Sequence, residues 1–264
     1  MAIHSYIVEE HQGKGLGHTQ HGKGKGKGHD KHADEAMADG EYTMVITGIE
    51  HRNPTAVSQT SAPTLLADGT SMNTEVRQGS ITIEEAPGGH GEALHLITDS
   101  NNGRLRLNDA YDADNQLTLG ELDTLSFDYY IESSDRTDTI PVIRLIIDAD
   151  GDLATTGDRG ELVFEYVYQN KGPTTQDSWQ TADLVGDDWV AWQRSFGQNR
   201  DQIVNMTELS DWADADGFTP AGGLKFDEDS LILGWSVALG SGNGTANIYL
   251  DNLQVAGVTY EFGG

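Results

Sequence analysis

The sequence predicts an all-β protein, an antiparallel β-sandwich preceded by a disordered arm rich in Gly, Lys and His. Three observations carry that prediction. Short runs rich in β-branched and aromatic residues recur from Glu41 onward, with Asn-Pro, Pro-Gly-Gly and Asn-Asn-Gly breakers between them. Several runs alternate apolar and polar residues with a period of two, which gives a strand one core face and one outward face. Helical periodicity is confined to one patch, Asp201 to Trp212, read as a short crossover. A chain of 264 residues can hold one large all-β domain or two small ones; residues 1–40 are assigned to the arm and residues 41–264 to one sandwich.

The arm contains six of the nine histidines and the run from Gly22 to His29, in which Gly and Lys alternate. Such a tract cannot bury enough apolar surface to offset the entropy of ordering it. The irregular spacing of His18, His21, His29 and His32 suits incidental affinity for a transition metal better than a dedicated site. Ile3 to Val8 is just long enough to add as a strand to the sheet edge of a neighbour, with the glycine tract as its tether.

With 43 acidic and 16 basic side chains the formal charge is −27. That excludes electrostatic capture of nucleic acid or anionic lipid and favours cations as partners. There is no cysteine, hence no disulfide and no thiolate metal site. No stretch approaches the ~18 apolar residues of a membrane span, and the first twenty residues lack the apolar core of a secretory signal.

In chain order, Tyr42 to Glu50, Ser80 to Glu85, Ala93 to Thr98 and Arg104 to Leu107 read as strands, and Gly88 to Gly91 as a plain turn. Leu125, Phe127, Tyr129 and Ile131 form a core face, leaving Asp128 and Tyr130 on the polar face of the same strand. Ile143, Leu145 and Ile147 likewise leave Arg144 facing outward. An acid-rich loop follows. Asp148, Asp150 and Asp152 have the i, i+2, i+4 spacing that lets carboxylates converge on a hard cation, with Asp158 and Glu161 close behind. The EF-hand template fails there, because Leu153 and Arg159 occupy its glycine and glutamate positions. A calcium loop of another kind and an acidic hairpin without metal both remain open.

Glu161 to Tyr168 is another strand, and Trp189 and Trp192 have opposite parity, so one ring faces out if the other is core. Leu231 to Leu239 alternates around Gly234, Ser236 and Ala238, placing Trp235 in the core. The last strand has a stutter: Ile248 and Leu250 keep a period of two, as do Leu253 and Val255, but three residues separate the pairs. One extra residue at Asp251-Asn252 must be absorbed as a β-bulge.

The segment Tyr249-Leu250-Asp251-Asn252-Leu253 resembles the closing strand of the jelly-roll carbohydrate-binding modules, whose aspartate contributes to a structural calcium site. Over residues 41–257 the order of strands is similar to the xylan- and glucan-binding jelly rolls. The run from Leu145 to Asp152, with Val163 to Tyr168 and Trp179, is similar also to sandwich domains of bacterial surface proteins with no assigned activity. The resemblance implies a jelly roll and a Ca2+ ion bound by Asp251 and, from the end of the first strand, Glu50. The ligand-binding aromatics vary among such modules and are not carried over.

Glycosidases need two carboxylates about 5 to 9 Å apart across the scissile bond, and their Glu-x-Asp-x-x-Glu strand pattern is absent. So are His-Glu-x-x-His, Gly-x-Ser-x-Gly and the phosphate loop. The expectation is therefore a non-catalytic extracellular or cell-surface module, stabilised by calcium, that binds a polysaccharide or cell-surface glycan. Asp128, Tyr130, Arg144 and Trp192 are its candidate surface. The other reading is a structural or adhesive protein that forms a homo-polymer through its N-terminal strand.

Overall fold

The computed structural model describes residues 6–9, 42–46, 50–52, 73–111, 117–186, 189–195, 204–240 and 244–262, with backbone alone at 6–9, 42–46, 50–52, 73, 110 and 204–205. The first half of the chain supplies β1 (Tyr6–Glu9), β2 (Tyr42–Ile46), β3 (Glu50–Arg52), β4 (Asn73–Arg77), β5 (Gly79–Ala86), β6 (Gly91–Asp99), β7 (Arg104–Ala110), β8 (Leu117–Thr118) and β9 (Leu125–Ser134). The second half supplies β10 (Val142–Asp148), β11 (Arg159–Phe164), β12 (Trp179–Asp183), β13 (Val190–Ser195), β14 (Val204–Glu208), β15 (Leu231–Leu239), β16 (Thr245–Val255) and β17 (Val258–Phe262). The helix α1 is a single turn, Leu209–Trp212.

These strands form two sheets packed face to face. The nine-stranded sheet has β16 at its centre, with β9 and then β12 on one side and β6, β5 and β3 on the other. The eight-stranded sheet runs β14-β13-β11-β10-β15-β7-β4, with β8 beside β15. All the pairings are antiparallel except that of β2 with β17.

Alternation decides which residues lie between the sheets. Leu125, Phe127, Tyr129 and Ile131 of β9 meet Ile143, Leu145, Leu162, Phe164, Trp235 and Val237 in one apolar core. Trp235 is fully buried there, edge-on to Tyr260 at 4.9 Å between ring centres. The close fit of such rings is what makes a sandwich core specific.

The bulge falls where the three-residue step places it. The register of β16 on β9 slips between Asp251 and Gln254, and Asn252 takes a left-handed φ of 50°. At the same point β16 changes neighbours on its other side. Thr245 to Leu250 pairs with β6, whereas Leu253 to Val255 pairs with β17. Asp251 closes the junction by accepting a 3.1 Å hydrogen bond at Oδ1 from the Phe262 backbone N–H.

Three expectations change. The helical patch is instead β14 followed by the single turn of α1, because backbone bonds to the open edge of β13 outweigh a short helix that lacks a long apolar stripe. The strand begun at Glu161 ends at Phe164, and Tyr166–Tyr168 is a 3-10 turn. The N-terminal strand pairs with β2 of its own chain, Ile7 opposite Val45. The rest of the arm, residues 1–5 and 10–40, lies outside the described residues. No helix among the described residues is long and apolar enough to cross a membrane.

Candidate functional site

The four residues expected to form one glycan surface divide between two faces. Asp128 and Tyr130 lie on the outer face of the nine-stranded sheet, and Arg144 and Trp192 on the outer face of the eight-stranded sheet.

On the first face the register aligns a row across the strands. His95 of β6 pairs with Tyr249 of β16, Tyr249 with Tyr130 of β9, and Tyr130 with Trp179 of β12. The rings meet. His95 stacks on Tyr249 at 4.1 Å with an interplanar angle of 1°, Tyr130 meets Tyr249 edge-on at 6.3 Å, and Tyr130 lies 5.8 Å from Trp179. His90, from the turn before β6, stacks on Trp179 at 3.7 Å, and the indole N–H of Trp179 donates to the Pro87 carbonyl at 2.9 Å. Burial, then the nearby Asp177 and Glu132, raise the Tyr130 hydroxyl above its ordinary pKa, so it stays a donor at neutral pH.

Polar groups flank the row. His95 Nε2 donates to Asn247 Oδ1 at 2.5 Å, and the Asn247 amide donates to Glu132. On the other side Asp128 and Asp251 lie opposite each other in the ladder. Like charges placed so repel, and four donors offset the repulsion. Thr181 and Asn252 donate to Asp128, at 2.5 and 2.8 Å; the Phe262 N–H and His90 Nε2, at 3.1 Å, serve Asp251.

Both oxygens of Asp251 are thus engaged, and the register keeps Glu50 away from it. Glu50 pairs with Thr82, Thr82 with His95, and His95 with Tyr249. That leaves three strand spacings, roughly 14 Å, before the further two-residue step along β16. The bulge forms as expected, but along the backbone β5 and β6 stand between the two residues expected to share calcium.

On the opposite face Trp192, Val163, Arg144 and Ser236 form one register row. Trp192 is half-buried against Val142, Val163 and Ala238, and its indole N–H donates to Glu165 at 3.1 Å. The neighbouring Glu161 is 0% exposed and accepts from Arg106 at 3.0 Å and from Arg194 at 3.5 Å. Burial alone would push the Glu161 carboxyl up, but Arg144, Arg106 and Arg194 hold it below its usual range. Burial pushes Arg144 down to about 10, with the charge of Arg106 adding to the effect. It pushes Glu165 up, against the pull of Arg144 and Trp192. Beside this face a cavity of about 250 Å³ is lined by Val142, Glu165, Tyr166, Tyr168, Arg136 and Asp138.

The acid loop joins β10 to β11. Carboxylate oxygens of Asp148, Asp150 and Asp158 lie within 4.8 Å of one another. Asp158 stands where Asp152 was expected, because the loop folds back and its Oδ2 accepts the Asp150 N–H at 3.1 Å. Asp152 instead turns to the Ala154 N–H at 3.0 Å. Asp148 is 0% exposed. Its Oδ2 accepts from Arg159 at 2.8 Å, while its buried Oδ1 has no hydrogen-bond partner. Burial raises the Asp148 carboxyl and the Arg159 bond opposes this, with Asp158 and Asp150 raising it further.

Neither a protein-family model nor a curated protein matches this sequence. Among solved structures it is similar to an exo-β-agarase, at 13% identity over 78% of this chain and 24% of the agarase, with a TM-score of 0.33. It is similar also to CBM28, a non-crystalline cellulose specific carbohydrate-binding module. There the identity is 15% over 75% of this chain and 94% of the module, with a TM-score of 0.30. The chain spans about a quarter of the agarase it matches. At that level of superposition neither likeness bears on ligand or activity. The strand pairings themselves establish a β-sandwich.

His95, Tyr249, Trp179 and His90 share this surface with Tyr130 but were not among the candidates read from the sequence. A signal was present for His95, since Leu94 and Leu96 fix the core parity of β6 and leave His95 facing outward.

Proposed function

We propose that this sandwich is a non-catalytic polysaccharide-binding module of the extracellular space or cell surface, with calcium held in the loop between β10 and β11. The observation that carries the sugar reading is the row of His95, Tyr249, Tyr130 and Trp179 across four adjacent strands. Sugar rings present apolar C–H faces, which pack on aromatic planes, and hydroxyls, which need fixed donors and acceptors beside those planes. Asn247, Glu132, Asp128 and Asn252 supply such groups along the row. Glu75, Asp148 and Glu165, three carboxyls that burial raises in pKa as a general acid requires, lie off this face.

Affinity electrophoresis in gels containing soluble polysaccharides, with pull-downs on insoluble ones, tests the reading. Trp179→Ala and Tyr130→Ala are each expected to weaken binding at least tenfold, as removal of a central aromatic does in other recognition surfaces. Trp192→Ala, on the opposite face, should leave that binding unchanged. Failure of the wild type to bind any polysaccharide, or equal retardation of all three variants, would reject the assignment.

The calcium reading is supported by the buried, partnerless Asp148 Oδ1 and by the convergence of carboxylate oxygens of Asp148, Asp150 and Asp158 to within 4.8 Å of one another. Calcium takes six to eight oxygens, so backbone carbonyls and water would complete the set. At about a hundred times its dissociation constant an ion adds roughly 2.7 kcal/mol to the folded state. A chelator is therefore expected to lower the melting temperature by roughly 5 to 10 °C. The double variant Asp150→Ala/Asp158→Ala should abolish that shift and Asp251→Ala should keep it. The reverse pattern would place the ion at the closing bulge.

A further inference from the structure

Charge is divided between the two sheets. Arg77, Arg104, Arg106, Arg144, Arg159 and Arg194 belong to the eight-stranded sheet, and Arg136, Lys171 and Lys225 to loops. None of β5, β6, β9, β12 and β16, the strands that build and border the aromatic row, contains a lysine or an arginine. The arginine of the nine-stranded sheet, Arg52 of β3, stands four strands from β9, roughly 19 Å away.

Two rings of the row carry its exposed surface. His95 and Tyr249 are 6% and 7% exposed and form the floor, while Tyr130 and Trp179 are half-buried and reach solvent. Carboxylates bracket these two rings. Asp128 and Glu132 stand two residues before and after Tyr130 on the outward side of β9, roughly 7 Å along the strand in each direction. Asp177, just before β12, hydrogen-bonds the Tyr130 hydroxyl, and Asp251 lies opposite Asp128. Asp128 accepts from Thr181 and Asn252, and Glu132 from Asn247. Neutral donors of this kind favour the ionised carboxylate and leave its charge in place. The cationic groups that can face the row among the described residues are the imidazoles of His90 and His95, engaged with Asp251 and Glu84. The rings feel the field: after burial, Glu132 and Glu84 raise the Tyr249 hydroxyl, as Asp177 and Glu132 raise that of Tyr130.

An aromatic face bracketed by carboxylates suits one kind of sugar. The face of the ring attracts cations, and a carboxylate beside it offers charge-assisted hydrogen bonds to an ammonium group. A uronate or a sulfate would meet like charge on both banks, and a neutral sugar would gain the stacking without the charge. Resting on the reading of this row as a polysaccharide site, we propose that its ligand is a cationic polysaccharide of unacetylated amino sugars, stacked on Tyr130 and Trp179 with its ammonium groups on Asp128, Glu132 and Asp177.

Titration calorimetry in mildly acidic buffer, where the amines are charged, compares a glucosamine hexamer with its fully N-acetylated counterpart and with cellohexaose, both neutral. The glucosamine hexamer is expected to bind at least tenfold more tightly than either. Trp179→Ala should weaken it at least tenfold, and Glu132→Gln/Asp177→Asn should bring it down to the affinity of the neutral hexamers. Both of those carboxyls are exposed, and Asn tolerates the left-handed φ of 58° at Asp177, so the fold is expected to survive. Asp216→Asn/Glu228→Gln, which removes the same charge from the loop between α1 and β15, should change nothing. Equal losses in the two double variants, or indifference to Trp179→Ala, would mean diffuse attraction to an acidic protein and would overturn the proposal. Cellohexaose binding as tightly as the glucosamine hexamer, and lost in Trp179→Ala, would overturn the selection for charge while the polysaccharide reading stands. Failure of all three hexamers to bind would reject both.

Discussion

Glu161→Gln is expected to destabilise the protein by about 3–5 kcal/mol, the range found when one member of a buried ion pair is removed. Its two oxygens hold Arg106 and Arg194, and Arg144 lies within the same field. An amide leaves three guanidinium groups with little compensation on a buried face. Chemical denaturation at neutral pH measures the loss. The pH dependence gives the sign. Glu161 has a folded pKa below its ordinary value of 4.5, so its contribution is fully present above about that pH. It fades as pH falls through the lower, folded value. The gap between wild type and Glu161→Gln should therefore narrow in acid. A gap that stays constant from neutral pH well into acid would mean that the loss comes from packing and not from charge.

Trp189→Ala is expected to cost roughly 3–5 kcal/mol, as core Trp-to-Ala changes do. Trp192→Ala, three residues later, should cost about 1 kcal/mol, the central value for single substitutions. Trp189 is 3% exposed and meets Tyr166 edge-on at 6.0 Å, with Lys171 Nζ 5.5 Å from its ring centre. Trp192 is half-buried on the outward side, with one hydrogen bond to Glu165. Thermal and urea unfolding of the two variants decide it. Equal large losses would place the Trp192 ring in the core and remove it from any ligand surface.

Local alternation was enough to read the strand from Leu125 to Ile131, the burial of Trp235 and the bulge at Asp251-Asn252, because each depends on parity along a single strand. The candidate surface was only half legible, for a geometric reason. Parity says that Asp128, Tyr130, Arg144 and Trp192 point outward, but a sandwich has two outward faces, and only the pairing of β9 with β16 and of β10 with β15 assigns each residue to one of them. The acid loop illustrates the same limit. Regular spacing suggested Asp152, whereas the fold of the loop substitutes Asp158, six residues further on. Arg104 to Leu107 reads as a strand with one wet face, yet Arg106 is buried, because its partner Glu161 comes from a strand far along the chain.

β16 is the strip that fastens two earlier parts of the nine-stranded sheet, β6 and β9, to each other. A ribosome delivers both of those strands more than a hundred residues before it delivers Thr245–Val255. During that interval each has an unpaired row of backbone donors and acceptors on the side β16 will fill. Any extended segment can add there, whether from this chain or from a nascent neighbour. Closure also requires contacts between residues distant in sequence, which makes folding slow. Overexpressed chains should therefore lose most material to aggregation before residue 245 emerges, and slowing translation upstream of it would lengthen the period of risk.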